Sequence, residues 1–100
     1  MKSRRTKALE ISPEVKAAVR RRDGGFCVLC GAVGSPTAHY ISRAQGGLGI
    51  EENIVTLCWN CHLRYDQSPE RESIRLILAD YLKKHYPEWD EGNLIYKKYF

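Results

Sequence analysis

Four cysteines of this 100-residue chain stand in two C-x2-C pairs, a spacing typical of zinc ligands. Cys27 pairs with Cys30 in "CVLC", and Cys58 pairs with Cys61 in "CWNC". Two such turns together supply the four tetrahedral ligands of a structural zinc site. The alternatives are a redox dithiol or unrelated buried cysteines, but a redox motif needs only one pair. We therefore predict one structural zinc ion bound by all four thiolates.

A second group of metal-ligand types follows in the stretch "TLCWNCHLRYD". Because neighbouring helical residues point about 100° apart, His62 cannot easily share the ion bound by Cys61. His62 and Asp66 are four residues apart and would share one helical face, where they could bind a second cation through nitrogen and oxygen. The alternatives are a solvated carboxylate at Asp66, and a packed imidazole or a spare zinc ligand at His62.

The sequence predicts five regular elements that position these residues. The first is a helix capped by Ser12, which has Pro13 at its first position and ends at Gly24 and Gly25. Two strands follow, one around 37–41 and one over 54–58. The last two are a helix from about Trp59 to Asp66 and a helix that residues 68–70 introduce and Pro87 ends. Helical spacing predicts core positions at Val15, Ala18, Val19, Ile74, Ile77, Leu78, Tyr81 and Leu82. We expect a flexible basic arm over 1–10 and aromatics in 88–100 that pack back on the body.

Charge is concentrated near the N-terminus. Residues 1–22 contain eight basic and two acidic residues, a net charge of +6, whereas the remainder sums to −2. A basic arm on a near-neutral body is typical of nucleic-acid binders, although a solvated tail that aids solubility has the same composition. We see neither a run of about 18 apolar residues nor an apolar stretch after the first basic residues, so we expect no membrane span and no secretion signal. A cytoplasmic, reducing location is expected.

Taken together, these motifs resemble the HNH endonuclease family. His39 lies in the predicted strand "TAHYI", Asn53 opens the second strand, and His62 opens the helix behind it. The segments "CVLCG", "AHYISRAQGG" and "EENIVTLCWNCH" keep the order and spacing of the family from about residue 12 to residue 68. The resemblance implies a small α+β fold, the ββα-metal (His-Me finger) module, with a structural zinc and flanking helices. It also implies a metal-dependent DNA endonuclease.

The resemblance further implies roles for individual residues. His39 matches the general base that activates water to attack the scissile phosphate. Asn53 matches the Asn that braces the loop orienting the base or, in some members, binds the metal. His62 matches the metal-binding His of the helix, and Asp66 stands where the family often has a last His. The cation would polarise the phosphate and stabilise the leaving 3′-oxygen.

One position departs from the family pattern. Many members place Asp or His directly before the general base as another metal ligand, and this chain has Ala38 there. A site made of His62 and Asp66 must complete its shell with water and phosphate oxygens, which suits Mg²⁺ or Mn²⁺. Ala38 also leaves open a catalytically degenerate, zinc-stabilised DNA-binding module. Asn53 could instead supply the missing ligand.

DNA is the expected partner, in a bacterial or phage-infected cell, and a further candidate partner is a phage packaging or other nucleic-acid-processing complex. The predicted DNA contacts are Arg4, Arg5, Arg20, Arg21, Arg22 and Arg43. We expect Trp59 and Tyr65 to serve in core and surface packing rather than to stack on bases. The expected organisation is a basic N-terminal arm (1–11), a zinc-stapled nuclease domain (12–86) and a C-terminal segment (87–100). A further alternative is a zinc-ribbon adaptor that binds protein. Such an adaptor would require neither the set of His39, Asn53 and His62 nor the basic arm.

Overall fold

Two strands and four helices make up the fold in the computed structural model, which describes residues 2–97. In chain order they are α1 (Arg4–Leu9), α2 (Pro13–Asp23), β1 (Ser35–His39), β2 (Ile54–Leu57), α3 (Trp59–Gln67) and α4 (Arg71–His85), with 3-10 turns at Arg43–Gln45, Glu51–Asn53 and Glu91–Asn93. The predicted small α+β class and the order β1, β2, α3 of a ββα module are confirmed. None of these described helices is long and apolar enough to cross a membrane.

Helix α2 forms where its capping residues predict it. The Ser12 hydroxyl accepts a hydrogen bond from the Val15 amide at 3.2 Å, and Pro13 occupies the first helical position. Gly24 ends the helix in the left-handed region, and its amide donates to the Arg20 carbonyl at 2.8 Å. Val19 is completely buried. The helix therefore presents its predicted apolar stripe to the sheet.

The two strands pair antiparallel, and this pairing places His39 at the end of β1. His39 lies opposite Ile54, while an irregularity separates the Ser35 end of β1 from the pairing at residue 38. The Tyr65 hydroxyl on α3 donates to the Tyr40 carbonyl at 2.6 Å. Because Tyr40 directly follows His39, this bond fixes α3 next to the residue predicted as the base.

Helix α4 packs through a narrower stripe than the sequence predicts. Ile74, Leu78 and Leu82 are buried, four residues apart along one face. Ile77 is 55 % exposed, so its predicted core position is wrong. It lies at the edge of the stripe, where neighbouring elements do not cover it.

The C-terminal segment packs on the body over the residues that the structure describes. Leu94 is 2 % exposed, and the Trp89 indole donates to the Glu52 carbonyl at 2.8 Å. Tyr99 and Phe100, also expected to pack back, lie outside the described residues.

One predicted environment differs in the structure. The expected flexible arm is instead helix α1, capped by Ser3, and Leu9 at its end is 2 % exposed. Burial of this one large apolar side chain anchors an otherwise polar helix. Of the two aromatic residues expected in core and surface packing, Tyr65 is 1 % exposed in the core, whereas Trp59 at the start of α3 is 74 % exposed and lies outside the core. The first turn of α3 leaves Trp59 on the outer side, opposite the sheet.

Candidate metal centre and active site

The four cysteines come together in one cluster. The sulfur atoms of Cys27, Cys30, Cys58 and Cys61 all lie within 4.8 Å of one another, and all four thiols are free. A tetrahedral zinc ion with Zn–S bonds of about 2.3 Å would separate its sulfur ligands by about 3.8 Å. The Cys30 and Cys58 sulfurs are 3.5 Å apart, too far for a disulfide and close to this spacing. The donor set therefore fits a tetrahedral thiolate metal site.

Backbone packing brings the two cysteine turns together. A Cβ on Gly34 would lie 2.8 Å from the Leu57 carbonyl carbon and oxygen, so only glycine permits this close approach to the end of β2. Cys58 is the N-cap of α3, and its sulfur accepts a hydrogen bond from the Cys61 amide at 3.5 Å. The second turn is thus built into the start of the helix, and the first is held against it.

The cysteine sulfurs differ in acidity. Burial opposes ionisation of Cys27, but hydrogen bonds from the backbone amides of Cys58, Leu29 and Cys30 lower the pKa of Cys27 to about 7. Burial and the neighbouring sulfurs raise the pKa of Cys61 to about 12. Four thiolates crowded without a cation repel one another, so ionisation of the whole cluster requires a bound metal ion.

His39 is held through one ring nitrogen. Its Nε2 lies 2.9 Å from the Leu9 carbonyl oxygen. A carbonyl can only accept, so Nε2 carries the proton and a neutral ring keeps its lone pair on Nδ1. Among the described residues, Nδ1 has no hydrogen-bond partner. Burial lowers the pKa of His39 below its ordinary value, the Leu9 bond partly offsets this, and electrostatic interaction with Arg43 and His62 lowers the pKa further. The imidazole is therefore neutral at pH 7 and can accept a proton.

His39 lines an open cleft between α2, β1 and the loop after β1. The residues around it are Glu10, Ile11, Lys16, Thr37 and Arg43. Glu10 is paired with Lys2 at 2.7 Å, so the cleft keeps the positive charges of Lys16 and Arg43. Sequence reasoning missed Lys16. Its position one turn after the Ser12 cap, on the N-terminal end of α2, was the available signal.

Asn53 is completely buried, and its side chain holds the loop between the strands. Its Oδ1 accepts from the Ile41 amide at 2.8 Å, and its Nδ2 donates to the carbonyls of Leu48 at 2.8 Å and Ile41 at 3.1 Å. These bonds tie the two ends of the loop that follows His39. A side chain enclosed in this way is not open to a metal ion.

His62 and Asp66 share one face of α3, as their spacing predicts. The His62 Nε2 lies 3.4 Å from the Asp66 Oδ2, and both side chains are partly exposed. Within the described part of the chain, the cysteine cluster is the one group of three or more candidate ligands, so this pair stands as a two-residue site. Ala38 is 1 % exposed in the hydrophobic core.

Comparison with known families identifies the central part of the chain. Residues 27–68 match the family model of the HNH endonucleases. The predicted resemblance is confirmed over these residues, called the HNH segment below. It contains all four cysteines together with His39, Asn53, His62 and Asp66. A search of curated proteins finds no match to the chain.

One predicted DNA contact is wrong. Arg22 lies just before the HNH segment, and its side chain is 8 % exposed. Its guanidinium pairs with Asp23 at 2.7 Å and donates to the carbonyls of Glu51 at 2.8 Å and Ile54 at 2.7 Å. Burial opposes its charge, but hydrogen bonds to the side chains of Asp23 and Tyr86 raise the pKa of Arg22 above its usual range. Arg22 therefore joins α2 to the start of β2 and is not available to a phosphate.

The other predicted arginine contacts stay accessible. Arg4, Arg5, Arg20, Arg21 and Arg43 are exposed. Arg5 also donates through Nη2 to the Arg43 carbonyl at 3.3 Å, which brings two of these cations to one side of the His39 cleft.

Proposed function

We propose that the chain is a metal-dependent DNA endonuclease that hydrolyses phosphodiester bonds with His39 as the general base. One observation carries the proposal: a neutral imidazole in the HNH segment is fixed through Nε2, has no described residue bonded to Nδ1, and borders a cationic cleft. Imidazole is the side chain best suited to accept a proton near pH 7. The cleft supplies the positive charge that a phosphate backbone requires.

In the proposed reaction, Nδ1 of His39 takes a proton from a water molecule as its oxygen attacks the scissile phosphorus. The P–O3′ bond breaks, and the departing 3′-oxygen takes up a proton from solvent. Lys16 and Arg43 would bind the non-bridging phosphate oxygens and hold the phosphorus near the base. Asn53 would act indirectly, since its three hydrogen bonds fix the loop that carries Arg43.

His62 and Asp66 fit a divalent cation, because an imidazole nitrogen and a carboxylate oxygen on one helical face form a mixed donor set. When bound, Mg²⁺ or Mn²⁺ supplies positive charge for the phosphate oxygens and the leaving 3′-oxygen. Two protein ligands leave most of the coordination shell to water and phosphate, so we expect weak and permissive metal binding. The four thiolates, by contrast, would hold zinc for structural support.

DNA binding in this proposal rests on the exposed cations around the cleft. Lys16 and Arg43 border His39 directly, and Arg5 contacts the Arg43 carbonyl. Arg4, Arg20 and Arg21 would extend the contact to flanking phosphates, which gives affinity without sequence preference.

A zinc-stabilised DNA-binding module without catalysis is the second candidate. Ala38 is buried and has no ligand atom in its side chain, and the side chain of Asn53 is enclosed. The cation is then left with His62 and Asp66 as its protein ligands, and this small number of ligands favours a module without catalysis. A metal titration distinguishes the two candidates, because a binding module needs no cation beyond zinc.

His62→Ala should abolish cleavage, and Asp66→Ala should raise the Mg²⁺ or Mn²⁺ concentration needed for half-maximal rate by about tenfold or more. Each variant removes one of the two proposed ligands from the same helical face. Cleavage rates are measured across a metal titration, and bound zinc is measured by elemental analysis of each protein.

Asp80→Ala is the matched control, since Asp80 is an exposed helical carboxylate with a lysine four residues later. Its titration should coincide with that of the wild type. Normal titrations for both His62→Ala and Asp66→Ala would show that the catalytic cation is not bound there. Loss of zinc from His62→Ala would instead mean that the chain has a single metal site.

A further inference from the structure

We propose that the N-terminal segment, residues 2–11, is part of the active site, with the main-chain carbonyl of Leu9 as a positioning group for His39. The carbonyl would hold the imidazole in its Nε2-protonated form and fix the ring orientation. The inference rests on the proposed role of His39 as base. Residues 2–11 lie outside the HNH segment, so the proposed positioning group comes from a part of the chain that the family model does not cover.

Three attachments hold the Leu9 carbonyl in place. The Leu9 side chain is 2 % exposed, the Gly49 amide donates to the Ala8 carbonyl at 2.9 Å, and Arg5 donates to the Arg43 carbonyl at 3.3 Å. The segment is therefore docked at Leu9 and at two positions before it, next to the contact with His39. A detachable basic tail would need none of these attachments.

The contact matters because a neutral imidazole has two tautomers, and its ring can rotate. Only the form with the proton on Nε2 offers Nδ1 as the base. In metal sites, a hydrogen bond to the second ring nitrogen of a ligating histidine fixes both the tautomer and the ring orientation, and its loss costs about 10–100-fold. The Leu9 carbonyl is the described group that makes this bond to His39.

Gly49 offers a way to displace the carbonyl without changing a charge or a proposed ligand. A Cβ there would overlap the Glu10 carbonyl oxygen and lie 3.0 Å from the Leu9 carbonyl oxygen. Because Gly49 does not have a positive φ, this close approach alone excludes a side chain. Gly49→Ala should therefore push residues 9–10 away from β1. Gly92→Ala is the matched control, since its Cβ would meet nothing closer than 3.5 Å.

The test is nitrogen-15 NMR of the histidine rings in the full-length, zinc-loaded protein without added divalent cation. Wild type and Gly92→Ala should show His39 as a single tautomer, protonated on Nε2. Gly49→Ala should show a mixture of the two tautomers. If Gly49→Ala loses its zinc or its helical circular dichroism signal, Leu9→Ala takes its place. This milder change removes the buried anchor and should give the same mixture of tautomers.

Cleavage provides the second readout. At saturating DNA and metal, the single-turnover rate of Gly49→Ala should fall by roughly 10–100-fold. Saturation separates this loss from any change in DNA affinity that displacement of Arg4 and Arg5 causes. A wild-type His39 protonated on Nδ1, or an unchanged tautomer in a folded variant, would overturn the inference. Wild-type protein that shows the expected tautomer but never cleaves DNA would refute the proposed function and leave the Leu9–His39 contact as a structural one.

Discussion

His39→Ala should lower the single-turnover rate of DNA cleavage by about 10²–10⁴-fold, the usual contribution of a general base. The side chain is only half-buried, and its one hydrogen bond within residues 2–97 is to the Leu9 carbonyl, so the loss should leave the fold intact. DNA affinity and zinc content should also stay at the wild-type level, because His39 is neither a phosphate-binding cation nor a cysteine-cluster ligand. Rates, fluorescence anisotropy and elemental analysis measure the three quantities.

His85→Ala is the matched control for this substitution. His85 lies at the exposed end of α4, where its ring packs on Tyr81 with centroids 4.6 Å apart, and it has no place in the proposed site. Its cleavage rate should equal that of the wild type. If His39→Ala cleaves as fast as His85→Ala, the base is another group. Unfolding of His39→Ala would indicate a structural role.

Cys27→Ser should remove the bound metal and unfold the domain. Structural zinc contributes about 10–16 kcal/mol of apparent binding free energy in zinc-finger peptides, comparable to the ~5–15 kcal/mol stability of a typical domain. Cys27 and Cys61 are also buried in the main hydrophobic core, so the metal site and the core form one unit. Metal content and thermal unfolding followed by circular dichroism measure the effect.

Chelation of the wild-type protein tests the same dependence without a substitution. Prolonged treatment with a strong chelator should reproduce the unfolding of Cys27→Ser, and added zinc should restore the fold of the wild type alone. A folded protein that contains no metal before treatment, or a Cys27→Ser variant that melts with the wild type, would contradict a structural metal site.

Local signals in the sequence were sufficient for the metal cluster and for helix α2. The paired cysteine spacings need no tertiary information, and Ser12, Pro13 and Gly24 specify the ends of α2 through backbone chemistry. The facing of His62 and Asp66 also follows from helical periodicity alone. Such features depend on residues close in sequence, which is why they could be predicted.

Features that depend on distant partners could not be predicted. Arg22 stands in a run of three arginines, and only its contacts with Glu51, Ile54 and Tyr86 distinguish it from its exposed neighbours. Leu9 is one apolar residue in a basic segment, and its burial depends on the loop around Gly49. The contact of the Leu9 carbonyl with His39 joins residues 30 positions apart and involves a main-chain atom, which leaves no signature in the sequence.

Plasmid cleavage by the zinc-loaded wild-type protein tests the proposed function most directly. The protein is freed of loosely bound cations, then incubated with supercoiled DNA alone, with Mg²⁺ or with Mn²⁺, beside His39→Ala at equal concentration. We expect nicked or linear product only for wild type and only with added cation. Intact plasmid under every condition, despite measurable DNA binding, would contradict catalysis and favour the binding module. Equal cleavage by wild type and His39→Ala would contradict His39 as the base.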